Sequence, residues 1–242
     1  MSRYLRAENL KMKRTFARKL ILLAPLTTLL LTWALAAIWF QVNAFNWWYI
    51  LLMPGFIALI CALSDQKETK KLGYRGVLSL PVSLKKVWLA KNLTLIFYTA
   101  LSDFVLLIGI LLGGSSVPNP LPFGASCLGM LLIFITSLWQ IPLCLFLSGK
   151  VGMVGTVIIQ VGVGDVLGIL FATKSNWWLC PYSWTTRIMT PVLGILPNGT
   201  LAQSGDPMLN PAVIPIAIVL SLLLFAFFLL ATTVWFPRQE AR

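Results

Sequence analysis

The sequence contains no histidine, which removes the commonest general base and the commonest metal ligand. It also lacks the G-x-x-x-x-G-K-[ST] phosphate loop, the H-E-x-x-H motif, the G-x-S-x-G motif and any C-x-x-C pair. The four cysteines are interpreted as small apolar residues. These absences argue against catalysis by this chain. We therefore expect it not to be an enzyme and to bind no metal or cofactor of its own.

Charged residues are also scarce, at only 11% of the chain, whereas 58% of the residues are hydrophobic and the mean hydropathy is +0.86. Soluble globular domains are nearer a quarter charged. A helix needs roughly 20 apolar residues to cross a bilayer. Six stretches meet this requirement, at 20–40, 47–63, 93–112, 125–147, 151–172 and 212–236. The sequence predicts an all-α polytopic membrane protein with six transmembrane helices in a single domain, 1–242.

The lysines and arginines predict how the chain is oriented, because they concentrate on the cytoplasmic side of membrane proteins. All but two of the 19 fall in segments that six spans would place on one side, and the exceptions are Lys174 and Arg187. Both termini are therefore expected in the cytoplasm. The net charge of +12 is then mainly a topology signal, and no nucleic-acid partner is expected.

The N-terminal segment, 1–19, has the pattern of an amphipathic helix. Leu5, Met12, Phe16 and Leu20 fall on one stripe among basic residues, although Asn9 interrupts it. Such a helix suits the membrane interface, with its basic side chains reaching the headgroups. A basic flank that only enforces topology is an equal alternative.

The segment between spans two and three, 64–92, is expected to be a cytoplasmic loop with two helical parts. Its first part, "DQKETKKLGYRG", is polar enough to be exposed and long enough for two or three helical turns. Pro81 then disfavours helix, and Ser83 is a candidate N-cap for a second helix that feeds span three. Trp88 is expected at headgroup level and Lys91 is expected to extend towards the headgroups. The alternative is a solvated basic loop.

Two acidic residues lie inside predicted spans, Asp103 and Asp165. An ionisable group at bilayer depth is costly and should face protein or water. One interpretation makes them part of a pathway for a cationic peptide or a proton site. The other makes them protonated or hydrogen-bonded packing contacts.

Span five is rich in glycine, and Gly155, Gly162, Gly164 and Gly168 offer surfaces for close helix packing. These glycines are candidates for an interface with another permease or for packing inside one subunit.

The external segment, 173–211, contains a dense group of aromatic residues with one arginine: Trp177, Trp178, Trp184 and Arg187. They are typical of anchors at the membrane interface. Alternatively they form a gate that touches an amphipathic substrate, with Arg187 holding a lipid phosphate or a peptide carboxylate.

The stretch "LPVSLKKVWLAK", together with the span pattern, resembles the permease subunits of ABC-2 type exporters. This resemblance implies six spans, an interfacial N-terminal helix, and a coupling helix in the second loop that contacts an ATPase. The coupling residues would be Glu68, Lys71, Leu72, Tyr74, Arg75 and Leu78. It also implies that two permeases pair through spans one and five.

Two further stretches, "AENLKMKRTFARKLILLAP" and "PYSWTTRIMTPVLGILPNG", resemble the lantibiotic-immunity branch of these permeases. That branch implies a bacterial plasma-membrane protein that expels a peptide antibiotic. Its partners would be membrane lipids, ATPase subunits holding ATP and Mg²⁺, in two copies, and a second permease or a second copy of this chain. An ion-coupled secondary transporter that uses Asp103 and Asp165 is the alternative, and a membrane scaffold is a third.

Overall fold

The computed structural model describes residues 1–13, 15–72, 81–118 and 120–238. Within them, regular structure is helical apart from one isolated bridge between Ile195 and Leu201. The helices are α1 (Ser2–Met12), α2 (Phe16–Ala36), α3 (Phe40–Trp47), α4 (Met53–Leu72), α5 (Leu84–Gly114), α6 (Phe123–Ser137), α7 (Gln140–Val157), α8 (Asp165–Ala172), α9 (Ser183–Leu193) and α10 (Val213–Trp235). Two π-helical segments, Trp48–Leu52 and Ile158–Gly164, join α3 to α4 and α7 to α8. The predicted all-α class is confirmed.

Four helical stretches in the described part of the chain are long and apolar enough to cross a membrane. They are Phe16–Gln66, Leu84–Gly114, Gln140–Ala172 and Val213–Arg238, and Phe123–Ser137 is a shorter apolar helix. Large apolar side chains cover their outer faces, for example Leu30, Leu112 and Leu230, each about two-thirds exposed or more. Surfaces of this kind are stable only in contact with lipid or other protein. The chain is therefore a multi-pass membrane protein.

The first of these stretches is folded back on itself. The backbone leaves helical geometry at Ala36, and a short 3₁₀ turn, Ala37–Trp39, follows. The rings of Trp33 and Phe40 meet edge to face across this turn, with their centroids 5.5 Å apart. Beyond it, α4 returns alongside α2, so that Glu68 of α4 lies next to Lys11 of α1.

A second reversal occurs at Gly152, inside α7. Its φ of +73° lies in the left-handed region, which glycine adopts without steric cost. Gln140 before the turn and Asp165 after it line the same cavity. Lys150, close to the turn, lies 5.3 Å from the centre of the Trp235 ring, near the end of α10. One glycine therefore separates two helical segments that run in opposite directions.

The predicted N-terminal helix is present as α1, but it is shorter than 1–19. Thr15 is extended and α2 begins anew at Phe16. The predicted single stripe is wrong, because Met12 and Leu20 are buried whereas Phe16 is 56% exposed. Asn9, which interrupts the stripe, accepts a 2.7 Å hydrogen bond from the Tyr98 hydroxyl of α5. The helix is thus docked on protein along part of its length.

The prediction for the start of α5 is confirmed in outline, since the helix begins at Leu84 with Ser83 at the N-cap. The Ser83 side chain makes no capping hydrogen bond. Lys91 was expected to extend towards the headgroups, and that expectation is wrong because its side chain is only 1% exposed. Trp88, which was predicted at headgroup level, is also 1% exposed and packs against protein. One face of the first turns of α5 therefore packs inside the protein, whereas Lys85 and Lys86 on the other face are exposed.

Candidate functional site

A group of charged side chains joins three helices at the end of the molecule that carries α1. We call it the ion cluster, and it consists of Glu8, Lys11, Glu68 and Lys91. Lys11 Nζ lies 2.6 Å from a Glu8 carboxylate oxygen and 2.7 Å from Glu68 Oε1. The other oxygen of Glu68, Oε2, accepts from Lys91 Nζ of α5. Glu68 therefore bridges α1 and α5 from its position on α4.

Because the ion cluster is largely buried, each of its charges depends on the opposite charge beside it. Lys91 is 1% exposed and Glu68 7% exposed, and a buried charge is tolerated only when it is paired and hydrogen-bonded. Burial alone would raise the pKa of Glu68, but Lys91 and Lys11 outweigh it and hold that pKa below its ordinary value of 4.5. Burial alone would lower the pKa of Lys11, but Glu68 and Glu8 raise it above 10.5. The net shift of each pKa therefore favours the charged form of both groups at neutral pH.

The ion cluster lies at the two helix ends that lead into and out of the segment 73–80. Glu68 is one turn before the end of α4 at Leu72, and Lys91 is two turns after the start of α5. Helical turns up to residue 72 were predicted, and α4 confirms them. The expected exposure is wrong for Asp65 and Glu68, which are buried.

Five of the six predicted coupling residues lie wholly or partly outside the described residues. Lys71 and Leu72 belong to α4, but their side chains lie outside the described residues, and so do Tyr74, Arg75 and Leu78 entirely. Glu68 is the one member of that predicted set whose side chain is described, and it points into the protein.

Trp88 fixes the start of α5 to the end of α10. Its indole Nε1 donates a 2.9 Å hydrogen bond to the Thr232 hydroxyl. The ring stacks on Phe236 at 4.6 Å between centroids and meets Trp235 edge to face at 6.1 Å. Together with Lys91, which binds Glu68 of α4, this contact ties the same two turns of α5 to two other helices.

Asp103 is buried in the middle of α5 and accepts a 2.8 Å hydrogen bond from Trp48 Nε1. Its other oxygen, Oδ2, has no hydrogen-bond partner. Trp48 opens the first π-helical segment. A hydrogen-bonded packing contact, one of the two interpretations drawn from the sequence, agrees with this geometry.

Asp165 faces a small, mostly enclosed cavity that we call the polar cavity. Its walls come from α3–α4, α7, α8 and α9 and consist of Tyr49, Ile50, Pro54, Gln140, Gly164, Asp165, Gly168, Tyr182, Thr185 and Thr186. The structure brings Asp165 close to the π-helical segment that carries Trp48, the partner of Asp103. No hydrogen bond or ion pair between the two acids is found among the described residues.

The aromatic residues of 173–211 fold partly into the protein. Trp177 and Trp184 are buried, and only Trp178 is half exposed, at 50%. Trp184 Nε1 donates to the Trp178 carbonyl at 2.9 Å, and helix α9 packs against α6 and α8. A set of interfacial anchors was expected, and that expectation is wrong for the two buried tryptophans.

Arg187 on α9 is partly buried, and its Nε and one Nη nitrogen have no hydrogen-bond partner. Burial lowers the pKa of Arg187, and the charge of Asp206 acts in the opposite direction. The side chain therefore retains donors that an anionic group would satisfy.

The four glycines divide into two pairs. A Cβ at Gly164 would lie 2.4 Å from the Tyr182 ring, and one at Gly168 would lie 2.9 Å from the Tyr182 carbonyl oxygen. These two glycines are used for packing inside the chain. Gly155 and Gly162 meet only side chains of their own helical stretch, and so they remain free for another partner.

Sequence reasoning missed Lys11, Lys91 and Gln140 as site residues. Lys11 and Lys91 appeared as topology charges, and Gln140 lay unremarked in an apolar run. A useful signal for Lys91 was its position, seven residues into a helix that continues as a span.

Comparison with known families agrees with this architecture. The model of the ABC-2 family transporter proteins matches residues 4–164, which include the ion cluster, the first π-helical segment and Gly152. Searches of curated proteins and of solved structures found no match. Because the match covers about two-thirds of the chain, this protein belongs to the ABC-2 family transporter proteins.

Proposed function

We propose that the chain is the membrane-spanning permease subunit of an ABC exporter, and that the ion cluster transmits the movement of an ATPase to the spans. Family membership supports a transport role. The observation that carries the coupling role is the bridge made by Glu68. A force on 73–80 would reach α1 and α5 together, because Glu68 binds Lys11 and Lys91 at once. ATP and Mg²⁺ would be held by the separate ATPase.

The proposed topology has six passes with both termini in the cytoplasm. The reversals at Ala36–Trp39 and at Gly152 support counting Phe16–Gln66 as two passes and Phe123–Ala172 as two more. The asymmetry of lysine and arginine supports the orientation. The segment 73–80 would then face the cytoplasm, where an ATPase can bind.

Pairing with another permease is proposed along α2 and α7–α8. A groove of about 440 Å³ lies between α2 and α4, with Phe16 and Gly55 among its lining residues, and Val161 of the second π-helical segment also lines it. Gly162 on the adjoining π-helical segment is exposed. The resemblance supports either a related permease or a second copy of this chain as the partner.

The proposed substrate is a lantibiotic or a related peptide antibiotic, removed from the membrane to give immunity. This assignment is supported by the resemblance of two stretches of sequence. Two further features of the same external segment agree with it, since Arg187 has unpartnered nitrogens and Trp178 is half exposed. A peptide with a carboxylate and apolar side chains would satisfy both groups.

The first test is co-purification, in mild detergent, with the ATPase from the same gene neighbourhood. We expect wild-type chain to capture the ATPase, and the triple variant Leu72→Asp, Tyr74→Asp, Leu78→Asp to lose it. The matched control changes Gln203 and Ser204 to aspartate; both are exposed and lie in the segment 173–211, which the proposed topology places outside the cell. The control should retain full capture.

The second test measures growth of a sensitive bacterium in the presence of lantibiotics, with and without the chain and its ATPase. Resistance that needs both proteins supports the export of peptide antibiotics. Capture without resistance would overturn the substrate assignment and leave the permease role standing. No capture by wild type would overturn coupling and favour the ion-coupled carrier, whose candidate site is the polar cavity around Asp165.

A further inference from the structure

The polar cavity is unusual because it lies among apolar helices and yet is lined by side chains that carry oxygen atoms. Its volume is about 10 Å³, which is room for one water molecule or one ion of similar size. Most of its wall is polar, with a carboxylate, an amide and two threonine hydroxyls among its groups.

Two of these oxygens have no hydrogen-bond partner. They are Asp165 Oδ2 and Gln140 Oε1, and the Gln140 side chain is nine-tenths buried, at 5% exposure. Leaving a buried acceptor unsatisfied costs about 1–3 kcal/mol and more for a charged group. Both atoms belong to residues that line the same cavity, so a single bound species there would satisfy both.

The unsatisfied atoms are acceptors, which indicates a cation or a hydrogen-bond donor as the occupant. In the described part of the chain, the wall of the polar cavity includes no lysine or arginine. Asp165 therefore supplies a negative charge that no basic side chain of the wall balances. A single positive charge would neutralise it, whereas a divalent ion would leave one positive charge buried.

The ligand types agree with this charge count. Carboxylate, amide and hydroxyl oxygens are hard ligands that suit hard cations. The described residues include no group of three or more histidine, cysteine, aspartate or glutamate side chains suited to a metal ion. A monovalent ion needs fewer anionic ligands than such a group supplies.

Helical irregularities also meet at this position. Tyr49 and Ile50 belong to the first π-helical segment, and Gly164 ends the second. Pro54 has no N–H with which to bond the carbonyl of Ile50, four residues earlier. Interrupted helices at membrane depth are tolerated where they line a cavity, and such sites bind ions in transporters.

We propose that the polar cavity is a binding site for one monovalent metal cation, with Asp165 and Gln140 as ligands and the hydroxyls of Thr185 and Thr186 beside them. The cation joins α7, α8 and α9, and so it stabilises the fold on both sides of the reversal at Gly152. This proposal does not depend on ATP-driven export, because it concerns the isolated chain.

The test is thermal unfolding of the purified full chain in detergent, in NaCl, KCl or choline chloride at constant pH and ionic strength. We expect the Tm of wild type to rise with the concentration of one metal cation, following the linkage between binding and stability. Asp165→Asn should abolish this dependence and Gln140→Leu should weaken it. The control Asp206→Asn, which changes an acid outside the cavity, should respond as wild type does.

Equilibrium binding of radioactive sodium to wild-type chain, competed by potassium, is measured in parallel. Thr186→Val, which keeps the carboxylate, gives a second variant if Asp165→Asn does not fold, and we expect weaker binding. A wild-type Tm that is identical in all three salts, together with no sodium binding, would overturn the proposal. Water or a proton would then satisfy Asp165. An equal response in wild type and in Asp165→Asn would also overturn it.

Discussion

Removing the carboxylate of Glu68 is the sharpest test of the ion cluster. In Glu68→Gln the volume of the side chain is preserved and its negative charge is lost. Lys91, at 1% exposure, then remains as a buried ammonium without its ion-pair partner. Lys11 is affected less, because its side chain is 35% exposed and water replaces part of the lost interaction.

The expected cost follows from the burial of the two partners. Breaking a buried pair by removing one member costs about 3–5 kcal/mol, whereas an exposed pair is worth about 0–1 kcal/mol. We expect the lower end of the first range, because the buried Asp65 also acts electrostatically on Lys91. For a chain of this size, about 3 kcal/mol corresponds to a fall in Tm of about 6–12 °C.

The assay is thermal unfolding in detergent, followed by the fluorescence of the tryptophans. The matched control is Lys85→Met, which removes an exposed lysine from the first turn of the same helix and should change the free energy of unfolding by less than about 0.5 kcal/mol. The double variant Glu68→Gln, Lys91→Met removes both charges. It should recover most of the lost Tm, because the buried ammonium that lost its ion-pair partner is no longer present.

Two results would refute this reasoning. A fall in Tm for Glu68→Gln no larger than that of Lys85→Met would mean that the pair contributes little. A double variant as unstable as Glu68→Gln alone would mean that the unpaired lysine is not the cause.

Three further predictions concern stability. Folding lowers the pKa of Glu68, so the stability that its charge contributes is present above the ordinary pKa of 4.5 and is lost as the pH falls through the lowered pKa. The difference in Tm between wild type and Glu68→Gln should therefore be constant at pH 6–8 and shrink in acid. A difference that stays constant at every pH would contradict the lowered pKa. Gly168→Ala should lower the Tm, at a cost of about 1–3 kcal/mol, since the new Cβ would lie 2.9 Å from the Tyr182 carbonyl oxygen. The control Gly162→Ala should leave the Tm unchanged, because the nearest atom to its new Cβ is 3.8 Å away. Equal effects of the two substitutions would argue against close packing at Gly168. Trp88→Phe should cost about 1 kcal/mol through the hydrogen bond lost to α10, and an unchanged Tm would show that ring stacking alone holds this contact.

Local signals predicted several features because their causes are local. The apolar runs predicted a membrane protein, since each run buries its own length in lipid. Pro81 and Ser83 predicted the start of α5, which begins at Leu84, because both residues act through the backbone beside them. The same reasoning predicted the helical turns before residue 73, but it did not predict that Glu68 is buried.

The candidate sites depended on tertiary structure because their members are distant in sequence. Glu68 meets Lys11 from 57 positions away, and Trp88 meets Thr232 from 144 positions away. Nothing in a basic flank distinguishes a lysine that faces headgroups from one that meets a carboxylate on another helix.

By itself, then, the sequence determined that the chain enters a membrane and that a helix follows Ser83. Only the tertiary structure decided that Lys91 is buried rather than at the interface, that Gly164 and Gly168 pack within the chain, and that Gln140 and Asp165 share a cavity. The physical reason is that hydropathy and capping act over a few residues, whereas the partner of a buried charge is chosen by how the helices cross. Gly152 turns α7 back so that residues on either side of it meet at one level.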